Sequence, residues 1–381
     1  MSICTIFMGA STGGLQLVEY LWAAETWGAS ARNLVGILFH LPFAIGVMLI
    51  TCVASTWQAW RFLCLFLAAP GFFFFVATRV LYESPRWFLM KDGTNTKRAT
   101  EVLHVMAVQN GVKLPSSFIL SIPEEESKGG GGGLDDIFQN PGILRALLYT
   151  MFIWFCTSFA YYGISMNAEN VGDVYISSFL AGAVEIPANF IAVPILARGR
   201  RVGGIIFLLA VSLSLVFLAL TPHDWHVLSL IFFMIGKFAA QGAFNVAYFY
   251  AAELFPTSVR STAMGWSSLS ARVAGMVAPL ALSTRGWWSE LPIVLFAGGS
   301  FAAAVVVQRS IRETLDAPLL NNVSEFDDAE QKFWRKGWMG LPRSETSRLS
   351  TLEGARAASK REIELVTSKE MTAEDIAKLA V

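Results

Sequence analysis

Nine stretches of this sequence run for a helical membrane crossing with almost no charge, and that pattern leaves few folds open. They cover residues 3–24, 33–55, 62–82, 146–166, 174–197, 203–221, 227–250, 263–283 and 291–308. About 20 mostly apolar residues in a helix suffice to span a bilayer core. Residues 146–165 read ALLYTMFIWFCTSFAYYGIS and 203–221 read GGIIFLLAVSLSLVFLALT, both without a single charge. Pro42, Pro70, Pro187, Pro194 and Pro279 sit inside these stretches. They would break soluble helices but are ordinary in membrane bundles. Charged residues make up 15% of the chain, against roughly 25% in a soluble domain. The expected fold is therefore an all-α integral membrane protein.

Two polar regions interrupt the pattern. Residues 83–145 form a connector with an amphipathic helix expected near 95–109, the acidic run Glu124–Glu126 and the flexible tract Gly129–Gly133. Residues 309–381 are a charged tail, expected to be partly disordered. Basic residues fix the orientation, because they are retained on the cytosolic side. One set of alternate loops holds Arg32, then Arg79 with all of the connector's Lys and Arg, then Arg198, Arg200, Arg201 and Arg260. The opposite set holds Arg61 and Arg285. Connector and tail are thus expected in the cytosol, at the plasma membrane.

The chain also repeats itself. Y-L-W-A-A-E-T-W-G-A-S-A-R, from Tyr20 to Arg32, returns as Y-F-Y-A-A-E-L-F-P-T-S-V-R, from Tyr248 to Arg260, at an offset of 228 residues. Glu83 in E-S-P-R finds Glu313 in R-E-T within two residues of the same offset. Tandem membrane halves are a transporter signature, with the substrate site between them. By this offset the helix at 227–250 matches the first helix of the chain, and the partners of the three before it would fall ahead of residue 1.

Six motifs then occur in one order. They are Glu83-Ser84-Pro85-Arg86-Trp87, Asp135-Asp136-Ile137-Phe138, Tyr161-Tyr162-Gly163-Ile164-Ser165, Val184-Glu185-Ile186-Pro187-Ala188, Gly236-Lys237-Phe238 and Ala252-Glu253-Leu254-Phe255-Pro256-Thr257. Over roughly residues 5–315 the sequence resembles the organic cation, organic anion and carnitine transporter family of the major facilitator superfamily. The resemblance implies twelve helices in two bundles that rock around a central cavity. About nine of the twelve are expected here: residues 1–82 as helices four to six, 83–145 as the connector and 146–308 as the six-helix second bundle. On this expectation the chain lacks its first three helices, and the 381 residues alone give negligible uptake.

Charge inside a bilayer is costly, so Glu19, Glu185, Lys237 and Arg272 should face a cavity or a partner. Arg272 presents a planar donor fork suited to a carboxylate or sulfonate. In the resembled family anion and carnitine types tend to carry Arg here and cation types Asp. Pairing with Glu185 is the other reading. Lys237 lies 16 residues before Glu253, about 24 Å along a helix, and serves either substrate attraction or helix pairing. Glu185 stands beside Pro187, where a freed carbonyl and a carboxylate suit a proton, a cation or a basic side chain, in a structural or gating role. Glu19 matches no motif. Trp154, Tyr161 and Tyr162 share one helical face, and Phe244 and Tyr248 lie on another. Together they could make an aromatic wall for organic ions, although such rings more often serve packing. Gln241 and Asn245, four residues apart, are candidates to hydrogen-bond substrate.

The loop charges Glu25, Arg32, Glu83, Arg86, Arg198, Arg200, Arg201, Glu253 and Arg260 resemble the family's cytosolic gate. Ala197 departs from it, standing where the wider superfamily often has an acid. No enzyme, cofactor or metal site is legible: His40 and His104 are scattered, the pair His223 and His226 in H-D-W-H has metal-binding spacing but no further ligand in view, and the four cysteines fit no zinc or redox spacing. The net charge of +0 gives no support to nucleic-acid binding. The leading reading is a secondary transporter for small organic ions, biased toward anions or zwitterions, with or without a coupling ion. A transport-incompetent shortened product and a sugar-type facilitator are the alternatives. Leu379-Ala380-Val381 has the form of a weak docking peptide. Epitope tags placed in the 83–145 connector and in the tail are expected to bind antibody only after permeabilisation; labelling in intact cells would overturn the topology.

Overall fold

The computed structural model describes residues 2–26, 36, 38–79, 81–85, 88, 96–112, 134–168, 172–222, 224–315, 320 and 323–336. A helix occupies each of the nine apolar stretches. In chain order the helices are α1 (Ser2–Thr26), α2 (Leu41–Thr56), α3 (Trp60–Ala77), α4 (Thr96–Gln109), α5 (Leu134–Gln139), α6 (Pro141–Met166), α7 (Val174–Leu196), α8 (Arg200–Leu220), α9 (His226–Leu254), α10 (Thr257–Ser283), α11 (Leu291–Ser310) and α12 (Val323–Lys336). No strand occurs among the described residues. Among them, five helices are long and apolar enough to cross a membrane: α6, α7, α8, α9 and α11. The apolar helices α2 and α3 are shorter, and α10 is long enough but less apolar, being rich in serine and threonine. The expected amphipathic helix of the connector is α4; Glu124–Glu126, Gly129–Gly133 and the final tripeptide lie outside the described residues.

Local chemistry sets the helix ends. Asn140 accepts from the amides of Gly142 and Ile143 at 2.9 and 3.0 Å, ahead of Pro141, so α6 starts well before its uncharged stretch. Asp173 caps α7 in the same way. At the other end of its apolar run α9 continues to Leu254, and Pro256 precedes α10. Arg200, Arg201, Glu253 and Arg260, which the sequence suggests are loop charges, are therefore on helix ends. The apolar run stops where lipid stops, but the hydrogen-bond ladder does not.

Contacts divide the chain into two units. The larger holds Met1–Val18, Gly36–Val80 and Gly132–Gln331. Within it α6 packs on α9, α10 and α11, α8 packs on α7, α9 and α11, and α2 packs on α7. The core runs through three apolar clusters, around Phe233 and Phe296, around Phe207 and Tyr250, and around Phe255 and Phe326. Outside the core large apolar side chains face outward: Phe73 is 74% exposed, Leu220 73% and Met276 74%. Such a surface suits hydrocarbon and not water. In the smaller unit the Trp22 indole donates to the Tyr82 carbonyl at 3.1 Å, and α4 buries Ala99 and Val102.

Without a hydrophobic force between helices in lipid, close approach over small residues does the packing. A Cβ added to Gly242 of α9 would lie 2.3 Å from the Phe207 ring of α8, and one on Gly163 of α6 would lie 2.4 Å from Phe296 of α11. Gly242→Val is expected to cost about 1–3 kcal/mol through overpacking. A melting transition of the purified variant equal to wild type would show that α8 and α9 do not meet this closely.

Candidate functional site

The centre of the larger unit holds a buried ion pair. Glu185 of α7 is fully buried, and its Oε1 lies 3.0 Å from the Lys237 ammonium of α9. The Tyr161 hydroxyl of α6 donates to the same Oε1 at 2.6 Å. Lys237 also donates to Ser165 Oγ at 2.7 Å and sits 3.3 Å from the centre of the Tyr161 ring. Oε2 of Glu185 has no hydrogen-bond partner among the described residues. Glu185 is thus matched by Lys237, and the alternative pairing with Arg272 is not formed. One turn along α7, Asn189 donates to the Glu185 carbonyl at 2.9 Å. Its Oδ1 accepts from Gln241 at 3.1 Å and from Asn245 at 2.8 Å. The amide donors of both candidate substrate ligands are therefore engaged in lacing α7 to α9.

The aromatic residues form a connected patch. Trp154 donates its indole N–H to the Ala247 carbonyl at 3.2 Å and lies 4.5 Å, ring to ring, from Tyr248. Tyr248 also meets the His40 ring at 4.9 Å. Tyr161 contacts Phe244 and Tyr162 edge-on at 5.1 and 5.6 Å. Tyr162 covers Gly275 of α10, where an added Cβ would be 3.3 Å from its ring. One turn before Gly275 stands Arg272, half-buried and within electrostatic range of the Tyr248 hydroxyl. Its guanidinium donates to Gln16 Oε1 of α1 at 2.7 Å, and Gly13, on the same face of α1, leaves room for its Nε. Among the described residues Arg272 has no carboxylate in ion-pair range.

A second polar cluster joins helix ends. Arg200, at the start of α8, pairs with Glu253, at the end of α9, at 3.1 Å and donates to the Leu196 carbonyl at 2.9 Å. Glu313 accepts from the backbone amides of Arg200 and Arg201 at 2.8 and 3.0 Å, and the Thr314 hydroxyl donates to Glu253 at 2.7 Å. Arg260 donates to the Phe255 carbonyl at 3.2 Å, while Arg198 is exposed. Glu83 is exposed; Arg32 and Arg86 and the side chain of Glu25 lie outside the described residues. Glu313, Asn189, Ser165, Gln16 and His40 are site residues that the sequence reading passed over. Asn189 and Ser165 carried a signal, standing four residues after Glu185 and Tyr161. So did Glu313, which the 228-residue offset reaches.

These features have relatives. The sequence profile of the family described as "Sugar (and other) transporter" matches residues 1–307. The chain is 31% identical over 343 residues to solute carrier family 22 member 15-like of Xenopus tropicalis, covering 88% of this chain and 69% of that one. To the organic cation transporter protein of Drosophila melanogaster it is 30% identical, covering 87% and 62%. It spans 58% of solute carrier family 22 member 6 of Pseudopleuronectes americanus. Among solved structures, the major facilitator superfamily proton:xylose symporter XylE bound to 6-bromo-6-deoxy-D-glucose superposes with a TM-score of 0.61 at 16% identity, covering 82% of this chain and 70% of that one. The inward open xylose transporter XylE from E. coli gives 0.59 at 17% identity, covering 81% and 68%.

Removing one member of a buried ion pair strands the other, at about 3–5 kcal/mol. Lys237→Met is therefore expected to destabilise the purified protein strongly, and adding Glu185→Gln to recover part of the loss. A thermal double-mutant cycle checks this, and additive losses would count against the pair.

Proposed function

We propose that this chain, which belongs to the sugar (and other) transporter family of the major facilitator superfamily and groups there with solute carrier family 22, moves small organic ions across a membrane with a bias toward anions or zwitterions. The observation that carries the bias is the charge balance of the bundle interior. Of its two cations, Lys237 is matched by Glu185, whereas Arg272 meets a neutral amide and an aromatic patch. A planar cation held in a low-dielectric setting without a counter-ion favours an anionic group, which it holds through two parallel hydrogen bonds. Of the neighbouring rings, half-buried Tyr162 offers apolar area for the organic part of such a substrate, while Trp154 and Tyr248 are buried against each other.

On this reading α6–α11 form one bundle of a two-bundle transporter and residues 1–82 belong to the other. Residues 83–145 are the cytosolic connector and 309–381 the cytosolic tail, in the plasma membrane. Glu185 and Lys237 hold the bundle together. The Arg200–Glu253–Glu313 cluster ties cytosolic helix ends in one access state and releases them in the other, with Arg198, Arg201 and Arg260 beside it. Glu25, Arg32, Glu83 and Arg86 serve the matching place in the first half.

The test is uptake, by cells expressing the protein, of a carboxylated dye and of a quaternary ammonium compound. Arg272→Asp is expected to lower uptake of the anion about tenfold or more, the loss of one desolvated charged contact, and to raise relative uptake of the cation. An unchanged charge preference at equal surface abundance would remove Arg272 from the substrate site. Absence of saturable uptake of either compound by wild type would reject transport of this substrate class.

A further inference from the structure

Arginines gather where the start of α8 meets the end of α11. The Arg201 guanidinium donates to the Gln308 carbonyl, which brings the first turn of one helix beside the last turn of the other. Arg198 on this side and Arg309 on the other are exposed, and Arg201 between them is half-buried. Arg198 and Arg309 make no ion pair among the described residues. The nearest acids are already engaged: Glu253 holds the buried Arg200 and Thr314, and Glu313 accepts from the amides of Arg200 and Arg201. With Arg200 and Glu253 cancelling each other, Arg198, Arg201 and Arg309 stand against the single exposed carboxylate of Glu313, so the patch is net basic.

What adjoins it is apolar. Val202, Ile206, Leu213 and Phe217 of α8 are between 48% and 56% exposed and fall on one helical face that begins next to Arg201. On α11, Phe301 is 55% exposed, two turns before Arg309. A ligand that satisfies both halves has a phosphate at one end and hydrocarbon at the other. A free phosphate or a nucleic acid would use the arginines and leave the apolar faces unmatched.

We propose that the cytosolic end of the α8–α11 pair is a binding site for the headgroup of an anionic phospholipid, with its acyl chains along the outward faces of both helices. The assignment of this end to the cytosolic leaflet rests on the membrane orientation proposed above. Binding would place a negative charge beside Arg201, whose backbone amide is one of the two that hold Glu313. The lipid thus reaches the cluster that joins α8 to α9, and the membrane's anionic content bears on how firmly those helix ends are tied.

Retention of lipid by the purified protein tests this without requiring transport. The protein in detergent is mixed with phosphatidylserine and phosphatidylcholine in equal amounts, and native mass spectrometry counts the lipids retained. Wild type is expected to prefer phosphatidylserine about tenfold, with the preference weakening as salt rises. The Arg198→Gln/Arg201→Gln/Arg309→Gln variant is expected to fall to about twofold or less. The single Arg309→Gln variant, at an exposed helix end, should show a partial loss and serves if the triple variant does not fold. Equal retention of the two lipids by wild type, or an unchanged preference in a folded variant, would overturn the proposal. So would displacement of the phosphatidylserine by inorganic phosphate at millimolar concentration, which would reveal a site for soluble anions. Failure of uptake with intact lipid selectivity would instead tell against the transport reading alone.

Discussion

The Glu185 carboxylate is fully buried, and the way it is matched determines how three helices sit. A carboxylate in this setting is tolerated only with a partner at contact distance, because its lost hydration is worth several kcal/mol. Lys237 supplies the partner from α9, Tyr161 of α6 donates to the same Oε1, and Ser165 of α6 accepts from the ammonium. Sliding α7 past α9 by one turn would break the ion pair and both amide bonds at Asn189 together. Ion pair and amides thus set a register that apolar contacts alone, being non-directional, would leave loose. Arg272 gains its meaning from this: with Glu185 committed to Lys237, its guanidinium donates to Gln16, and no carboxylate lies in ion-pair range of it among the described residues.

The far end of the bundle follows the same economy of charge. Glu253 and Glu313 are each shared between helix ends, one through the Arg200 side chain and the other through backbone amides at the start of α8. The tail helix α12 adds to this end, burying Phe326 against Ile143, Leu254 and Phe255 while Asp327 accepts from the Asn140 side chain at 2.8 Å. At this end Glu313 is exposed and Glu253 half-buried although Arg200 and Phe326 are buried, whereas Glu185 and Lys237 are both buried.

Much of the fold was legible because lipid imposes a severe rule. Every stretch that is long and uncharged has to be helical, since no other single-segment structure satisfies its own backbone in hydrocarbon. Hence each apolar run is a helix in the described structure and α4 followed from amphipathic spacing, whereas the short α5 and the tail helix α12 lie outside those runs. Helix ends were less legible. α9 continues past its apolar run to Leu254, and α6 begins at Pro141 behind its Asn140 cap, because capping and tertiary contacts take over where lipid ends. Of the site, the residues that are conspicuous by cost were found: Glu185, Lys237 and Arg272 are charges where charge is expensive. Asn189, Ser165 and Gln16 were passed over, because uncharged polar residues in a membrane helix are cheap enough to be common.

By itself the sequence determined that this chain is a helical membrane protein with a tandem repeat and a handful of costly interior charges. It could not decide which charge answers which, because Glu185 stood open to a proton, a cation or either basic side chain. That choice depends on azimuth and depth at once, and two helices bring Lys237 to 3.0 Å from Glu185 while Arg272 faces Gln16 of α1. Likewise, Gln241 and Asn245 were polar residues on one face in the sequence, and only the packing of α7 against α9 showed that Asn189 takes both their donors. Pairwise partnership is a property of tertiary distance. Along the chain, the partners of Asn189 lie 52 and 56 residues away, a separation over which no local propensity carries information.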